Sequence, residues 1–302
     1  MEKKVVYTLD VPNAKGEPYA PDLLDITMPY LKAWAKKVDA EFHVISERKF
    51  LDMPVTYEKF QIWDLSHNEY KDFDWHIYWD ADALIHPDFG DVTACLPKDT
   101  TCSHGTDFTP NRFKPDPYFL RDGRFFGKGN WSAIFSDWCR DYYHPLEDMT
   151  LEEALSQIYP TQEERNFGIQ AEHLIDDWLV SRNISRYGLK HGIIPKLLEA
   201  YKRNEGHLMH HYLMPIRQKC IWLLECLRVW NVISMDEENA RLLMLFTKWG
   251  MDPAQAQSVV AFVKQPMPQP NGQTAMLPPN QWHVARWQQC IAWMGREWGA
   301  AI

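Results

Sequence analysis

Two aspartates directly follow an aromatic run near residue 80. The run from Trp75 to Trp79 is apolar and has the length of a strand. It ends in Asp80-Ala81-Asp82, and ligands of open α/β sheets bind beyond the carboxyl ends of the strands. Two carboxylates one residue apart at such an end can share one hard divalent cation. The pattern therefore predicts a metal site at Asp80 and Asp82.

A second Asp-x-Asp triplet shows that spacing alone is weak support for such a site. It is Asp72-Phe73-Asp74, and it lies in a polar stretch that is typical of a solvated loop. Only the triplet at Asp80 closes an apolar strand. The sequence context, rather than the spacing, favours the triplet at Asp80 as the metal site.

The chain before Asp80 alternates between strand and helix patterns. Strands are predicted over 5–9, 41–45 and 75–79, and helices over 24–38 and from about Tyr57 to Leu65. This alternation favours a mostly parallel sheet with helices on both faces. The first strand is followed by no Gly-x-Gly-x-x-Gly turn, which argues against a dinucleotide-binding site.

Composition narrows the class of protein. A chain of 302 residues can hold a full-sized core and an appended module. The net charge of −9 argues against bulk binding to nucleic acid or membrane surfaces, although a local basic site is compatible with it. The six cysteines include no Cys-x-x-Cys pair, no apolar run is long enough to span a bilayer, and we expect no signal peptide. We therefore expect reduced thiols in a cytoplasmic protein without a membrane span.

Two later stretches are locally basic. Residues 109–131 interleave Lys and Arg with aromatic side chains, which indicates either an acceptor surface or a loop packed on the core. The acceptor candidates are Arg121, Arg124, Lys128 and Trp131. Residues 182–203 are also basic, and three histidines follow at 207, 210 and 211. Their spacing matches no zinc-binding helix motif.

The second half of the chain is predicted to be mainly helical. Amphipathic helices are expected over 148–158 and 162–180, and the second of these carries Glu172, Asp176 and Asp177. Beyond residue 215 helices are predicted over 221–229, 236–249, 253–263 and 281–298, with a Pro-rich segment at 265–279. We therefore divide the chain into a domain at 1–215 and a helical C-terminal extension at 216–302.

Together these segments resemble a glycosyltransferase of the GT-A type, nearest to the glycogenin-like retaining enzymes, over about residues 4–220. Four motifs carry the resemblance and occur in the family's order. They are Tyr7-Thr8-Leu9-Asp10, Tyr57-Glu58-Lys59-Phe60, Tyr78-Trp79-Asp80-Ala81-Asp82, and His210-His211-Tyr212 with Arg217 and Lys219 after it. The resemblance implies a Rossmann-like GT-A sheet with helices on both faces. Gly129-Asn130-Trp131-Ser132 departs from the family's Asn-x-Gly type segment.

The resemblance also implies roles for individual residues. A UDP-linked sugar donor would contact Thr8, Leu9, Asp10, Lys59, Asp80, Arg217 and Lys219. Mn²⁺, or Mg²⁺, would be held by Asp80, Asp82 and His211 and would neutralise the leaving diphosphate. Glu172 would face the reacting carbon, with Asp176 behind it.

We therefore expect metal-dependent transfer of a hexosyl or pentosyl group, with retention, to a glycan, a small molecule or a modified DNA base. A nucleotidyltransferase is an alternative because it also uses paired carboxylates and a metal. A catalytically degenerate sugar-binding or nucleotide-binding protein is another. The sequence leaves the donor sugar, the acceptor and the oligomeric state open.

Overall fold

The computed structural model describes residues 2–13, 15–103, 131–166, 168–193, 208–209 and 215–264. The chain divides into two compact units. The first comprises Met1–Tyr19, Leu31–Ala83 and Phe89–Lys196, and the second comprises Ala20–Tyr30, Leu84–Asp88 and Leu197–Ile302. The domain boundary expected after residue 215 stays a prediction.

A six-stranded sheet lies at the centre of the first unit. In chain order the strands of the structure are β1 (Lys4–Leu9), β2 (Ala40–Ile45), β3 (Trp75–Trp79), β4 (Leu84–Ile85), β5 (Thr100–Ser103), β6 (Ser132–Ser136), β7 (Lys190–Ile193) and β8 (Leu208–Met209). The order in the large sheet is β2-β1-β3-β6-β5-β7, and β6 alone runs antiparallel to its neighbours. The strands β4 and β8 pair antiparallel in the second unit.

The α-helices, numbered in the same way, are α1 (Pro21–Lys37), α2 (Gln61–His67), α3 (Leu151–Leu155), α4 (Gln162–Asn166), α5 (Ile175–Arg186), α6 (Ile216–Val229), α7 (Met235–Lys248) and α8 (Pro253–Lys264). Short 3₁₀ helices cover Val55–Phe60, Val92–Cys95, Asp137–Tyr143 and Ala171–Leu174. The predicted fold class is confirmed: an α/β fold with a mostly parallel central sheet, followed by a helical C-terminal region.

The centre of the sheet is buried on both faces. The side chains of β1 from Val5 to Thr8 and every residue of β3 are buried, as expected for continuous β-branched and aromatic runs. Trp79 contacts Trp34 of α1 at a ring-centroid distance of 5.6 Å, whereas Tyr78 contacts Tyr143 at 6.0 Å. Because neighbouring residues of a strand point to opposite faces, helical segments cover both faces of this sheet.

Two predicted helices of the first unit are wrong in extent. The helix expected over 148–158 is only α3, which begins after a capping box between Thr150 and Glu153. The helix expected over 162–180 is divided into α4, a 3₁₀ turn and α5. Gly168 lies between them with a φ of 76°, a left-handed backbone conformation that ends a helix. The strands β5 and β7 were not predicted, because their short polar sequences show no alternation.

Three of the predicted C-terminal helices, those over 221–229, 236–249 and 253–263, correspond to α6, α7 and α8 in the second unit. The Ser234 side chain accepts a hydrogen bond from the Glu237 amide at the start of α7. Asp252 Oδ1 accepts from the amides of Ala254 and Gln255 at the start of α8, which confirms the predicted cap. The segments 265–279 and 281–298 lie outside the described residues. Among the described helices, none is both long enough and apolar enough to cross a bilayer.

Glu58 fixes the loop that leads to the 3₁₀ helix Val55–Phe60. Its carboxylate is fully buried and accepts from the Arg48 guanidinium, the amides of Lys49 and Phe50, and the side chain of Gln61. Removing the carboxylate would take away the acceptor of the Lys49 and Phe50 amides and the only charged partner of Arg48 among the described residues, whereas Arg48 and Gln61 would keep hydrogen bonds to backbone carbonyls.

We expect Glu58→Ala to lower the free energy of unfolding by about 3 kcal/mol, because Arg48 is left as an unpaired, largely buried charge. Urea denaturation of the purified variant measures this change. Glu47→Ala is the matched control, because Glu47 is exposed and close in sequence. An equal loss in both variants would contradict the structural role of Glu58.

Candidate functional site

Lys59 lies at the centre of a cluster of charges in the first unit. The 3₁₀ helix Val55–Phe60 directs its side chain inward, where only 6% of it is exposed. Its ammonium lies 2.7 Å from Asp176 Oδ2 on α5 and 3.1 Å from Asp80 Oδ1 at the end of β3. It also lies 5.2 Å from the ring centre of Tyr78. The structure thus brings together three of the residues that the sequence singled out.

The two carboxylates determine the charge of Lys59. Burial alone would lower the pKa of its ammonium, but Asp176 and Asp80 outweigh this effect and raise the pKa well above its ordinary value. Lys59 is therefore positively charged throughout the physiological pH range. A buried charge of this kind is stable only with partners held at short distance.

Tyr78 is a member of this cluster that belongs to a sequence motif but was given no role of its own among the predicted site residues. Its hydroxyl donates a hydrogen bond to Asp80 Oδ1. Burial, followed by the Asp80 charge, raises the pKa of the Tyr78 phenol well above its ordinary value, so the hydroxyl remains a donor. The two-residue period of a strand places Tyr78 and Asp80 on the same face, and this signal was available in the sequence.

Backbone hydrogen bonds hold the Asp80-Ala81-Asp82 turn. The Asp80 amide donates to the carbonyl of Trp131 at 2.7 Å, and the Ala83 amide donates to the carbonyl of Asp80 at 2.9 Å. The Asp80 side chain is 23% exposed, and Asp82 is partly exposed. Both carboxylates therefore lie at the surface edge of the site rather than in the core.

This pair of carboxylates fits a divalent cation by its donor chemistry, since hard cations take carboxylate oxygens. Within the described residues, no group of three or more His, Cys, Asp and Glu side chains is arranged to hold a metal. The predicted third ligand, His211, lies outside those residues. Manganese or magnesium as the cofactor stays a prediction.

The carboxyl end of β1 reaches the same edge of the sheet as Asp80. The parallel register pairs Tyr7 with Tyr78, so the residues after them, Leu9 and Asp10, approach the end of β3. Thr8 is fully buried, and within the described part of the chain its hydroxyl has no hydrogen-bond partner. The contacts of these three residues with a donor stay a prediction.

The two predicted catalytic carboxylates differ sharply in environment. Asp176 is 4% exposed and is paired with Lys59, whereas Glu172 is exposed on the 3₁₀ helix Ala171–Leu174. Tyr143 lies beside the cluster. Its buried hydroxyl has no hydrogen-bond partner among the described residues, and burial raises the pKa of this phenol. Of the two predicted catalytic carboxylates, the buried Asp176 is therefore the one that shares a partner, Lys59, with Asp80.

Six further residues were predicted for the site: Arg217, Lys219, Trp131, Arg121, Arg124 and Lys128. Arg217 and Lys219 are on α6 in the second unit, where the Arg217 guanidinium lies 5.3 Å from the ring centre of Trp249. Trp131 is buried, and its ring centre is 5.7 Å from that of Trp79, so its acceptor role stays a prediction. Arg121, Arg124 and Lys128 lie outside the described residues.

Comparison with known proteins gives matches among solved structures. No family model matches the sequence, and no curated protein matches it. The crystal structure of a glycosyltransferase involved in the glycosylation of the major capsid of PBCV-1 is similar to this chain with a TM-score of 0.42 and 8% sequence identity. The match covers 74% of this chain and 98% of that one. A likeness at this level carries no weight for the function.

Proposed function

We propose that the protein is a metal-dependent glycosyltransferase that moves a sugar from a nucleotide-sugar donor, UDP-linked, to an acceptor. The observation that supports this proposal is the cluster of Lys59, Asp80 and Asp176 at the carboxyl edge of a mostly parallel sheet. In sheets of this type the carboxyl edge is where ligands bind. The four sequence motifs that resemble glycogenin-like retaining enzymes provide the specific chemistry.

Each described residue has a separate task in this proposal. Thr8, Leu9 and Asp10 bind the nucleotide at the end of β1. A divalent cation held by Asp80 and Asp82 would neutralise the charge that develops on the leaving diphosphate. Tyr78 keeps one oxygen of Asp80 in place by donating a hydrogen bond to it.

Asp176 is the carboxylate that faces the reacting end of the donor in this proposal. It is fixed by Lys59 at 2.7 Å and is therefore held in one position, which favours stabilisation of positive charge in a glycosyl transition state. Glu172 is exposed and is suited to contacting the acceptor or the sugar. Transfer with retention, and the hexosyl or pentosyl nature of the group, belong to the same proposal.

Thermal unfolding with nucleotides tests the donor site. UDP at 100 times its dissociation constant stabilises the folded protein by about 2.7 kcal/mol, and we expect a rise in the unfolding midpoint of about 5 °C when Mn²⁺ is present. GDP, TDP and CMP are expected to give smaller shifts. Asp82→Asn should abolish the UDP shift, because the cation loses a charged ligand.

Asp72→Asn is the matched control for this experiment, because it changes the other Asp-x-Asp triplet at an exposed position. It should leave the UDP shift unchanged. If no nucleotide raises the midpoint with or without Mn²⁺, the proposed donor site is wrong. If the UDP shift persists in Asp82→Asn, the protein binds the nucleotide, but the proposed role of the metal is wrong.

A further inference from the structure

The protein supplies its own positive charge to Asp80. The Lys59 ammonium lies 3.1 Å from Asp80 Oδ1 and 2.7 Å from Asp176 Oδ2. The side chains of Lys59 and Asp176 are each only 6% exposed, so solvent ions screen this pair weakly. Both of these described partners of the ammonium are carboxylates, which is the arrangement of a structural counter-ion.

We propose that Lys59 is a positioning residue that serves as the built-in counter-ion of the carboxylate site and competes with a divalent cation for Asp80. The inference rests on the function proposed above, in which Asp80 and Asp82 hold that cation. It assigns Lys59 a task different from direct contact with the donor. In this role Lys59 controls how tightly the cation binds.

Competition follows from the placement of the charges. A cation that bonds to the Asp80 carboxylate lies close to the Lys59 ammonium, and like charges at about 5 Å in a partly buried site repel strongly. This repulsion corresponds to a reduction of at least about tenfold in cation affinity. The ammonium and the cation would also both be stabilised by the same negative charge, that of the Asp80 carboxylate.

The same arrangement explains why a buried lysine is useful at this position. Asp80 and Asp176 approach one atom, Lys59 Nζ, from two elements that are far apart in the chain. Without the ammonium the two carboxylates would repel each other and Asp176 would be a buried, unpaired charge. Lys59 therefore holds the geometry of the site when no cation contributes charge.

Direct measurement of Mn²⁺ binding tests this inference without an activity assay. Isothermal titration calorimetry of the metal-free 302-residue chain gives the Mn²⁺ affinity of the wild type and of Lys59→Met. We expect Lys59→Met to bind Mn²⁺ at least about tenfold more tightly than the wild type, because the competing charge is gone. Lys49→Met is the matched control, since Lys49 also pairs with an aspartate, Asp64, but at an exposed site. It should bind as the wild type does.

The outcomes separate this inference from the proposed function. If the wild type binds Mn²⁺ and Lys59→Met binds it equally or more weakly, Lys59 does not compete with the cation, whereas the proposed metal site stands. If Lys59→Met binds Mn²⁺ and the wild type does not, the result supports competition between Lys59 and the cation. If neither protein binds Mn²⁺, the metal site is wrong, and the inference that depends on it is wrong as well.

A second variant covers the case in which Lys59→Met does not fold. Lys59→Gln removes the charge but keeps a hydrogen-bond donor for one carboxylate. The same increase in Mn²⁺ affinity is expected for it, together with an unfolding midpoint that Mn²⁺ raises further than it raises that of the wild type. An unchanged affinity in Lys59→Gln would overturn the inference.

Discussion

Asp80→Asn is expected to reduce turnover of the sugar donor at least about hundredfold while the protein remains folded. The substitution removes one of the two charges proposed to hold the cation, and it removes one of the two carboxylates that contact Lys59. An asparagine keeps the shape of the side chain and an acceptor oxygen for the Tyr78 hydroxyl. The loss is therefore expected in catalysis rather than in folding.

Release of UDP from a UDP-sugar measures this effect without knowledge of the acceptor, because slow hydrolysis of the donor reports on the same site. Asp72→Asn is again the control and should retain full activity. Circular dichroism shows whether each variant is folded. Unchanged donor turnover in folded Asp80→Asn would remove Asp80 from the proposed mechanism.

Arg182→Met is expected to produce a large loss of stability, about 3 kcal/mol in the free energy of unfolding. Arg182 on α5 is 2% exposed, and its two terminal nitrogens donate to the two carboxylate oxygens of Asp148 at 3.0 and 2.5 Å. Its guanidinium also lies 5.7 Å from the ring centre of Trp178. The methionine replaces part of the packing but none of the charge.

Urea denaturation of Arg182→Met beside Arg186→Met measures this effect. Arg186 lies on the same helix and approaches the same carboxylate at 3.6 Å, but its side chain is 25% exposed. Its replacement should cost less than about 1 kcal/mol. Similar losses in the two variants would show that burial of the Arg182 pair is not the source of its stability.

The Arg182 pair also has a pH signature. The hydrogen bonds from Arg182 hold the pKa of the Asp148 carboxyl below its ordinary value in the folded state. A depressed pKa contributes stability that is complete above the unfolded value of about 3.9 and is lost as the pH falls through the folded value. We therefore expect the free energy of unfolding to decrease less between pH 6 and pH 3 for Arg182→Met than for the wild type. Urea denaturation at a series of pH values measures this difference.

The helices and strands that were predicted correctly are those with a strong pattern in their own residues, such as an apolar run or a capping residue. The strand β3 was predicted with correct bounds because Trp75 to Trp79 is a continuous apolar run between acidic residues. The helix α8 was predicted from Asp252 and Pro253, whose capping role is a local property. The strands β5 and β7 were missed because each is four residues long and has no alternation of apolar and polar side chains, and β7 also contains Gly192.

The site was predictable only in part for a different reason. Asp80 and Lys59 stand in recognisable local motifs, but the pairing of Lys59 with Asp176 spans 117 residues of sequence and is a property of the folded chain. Both Glu172 and Asp176 lie in one acidic stretch. The break at Gly168 and the start of α5, which decide that Asp176 is buried and Glu172 exposed, could not be located by periodicity.

The order of the strands in the sheet has a consequence for how the chain folds. The edge strand β7 pairs with β5, and the Thr101 hydroxyl donates to the carbonyl of Lys190 across 89 residues of sequence. Closing such long loops costs entropy before any contact is gained, which slows folding. On a growing chain the apolar strands β1 and β3 emerge well before β7 completes the sheet. During that interval they expose apolar surface and unpaired strand edges, which favour aggregation of the incomplete chain.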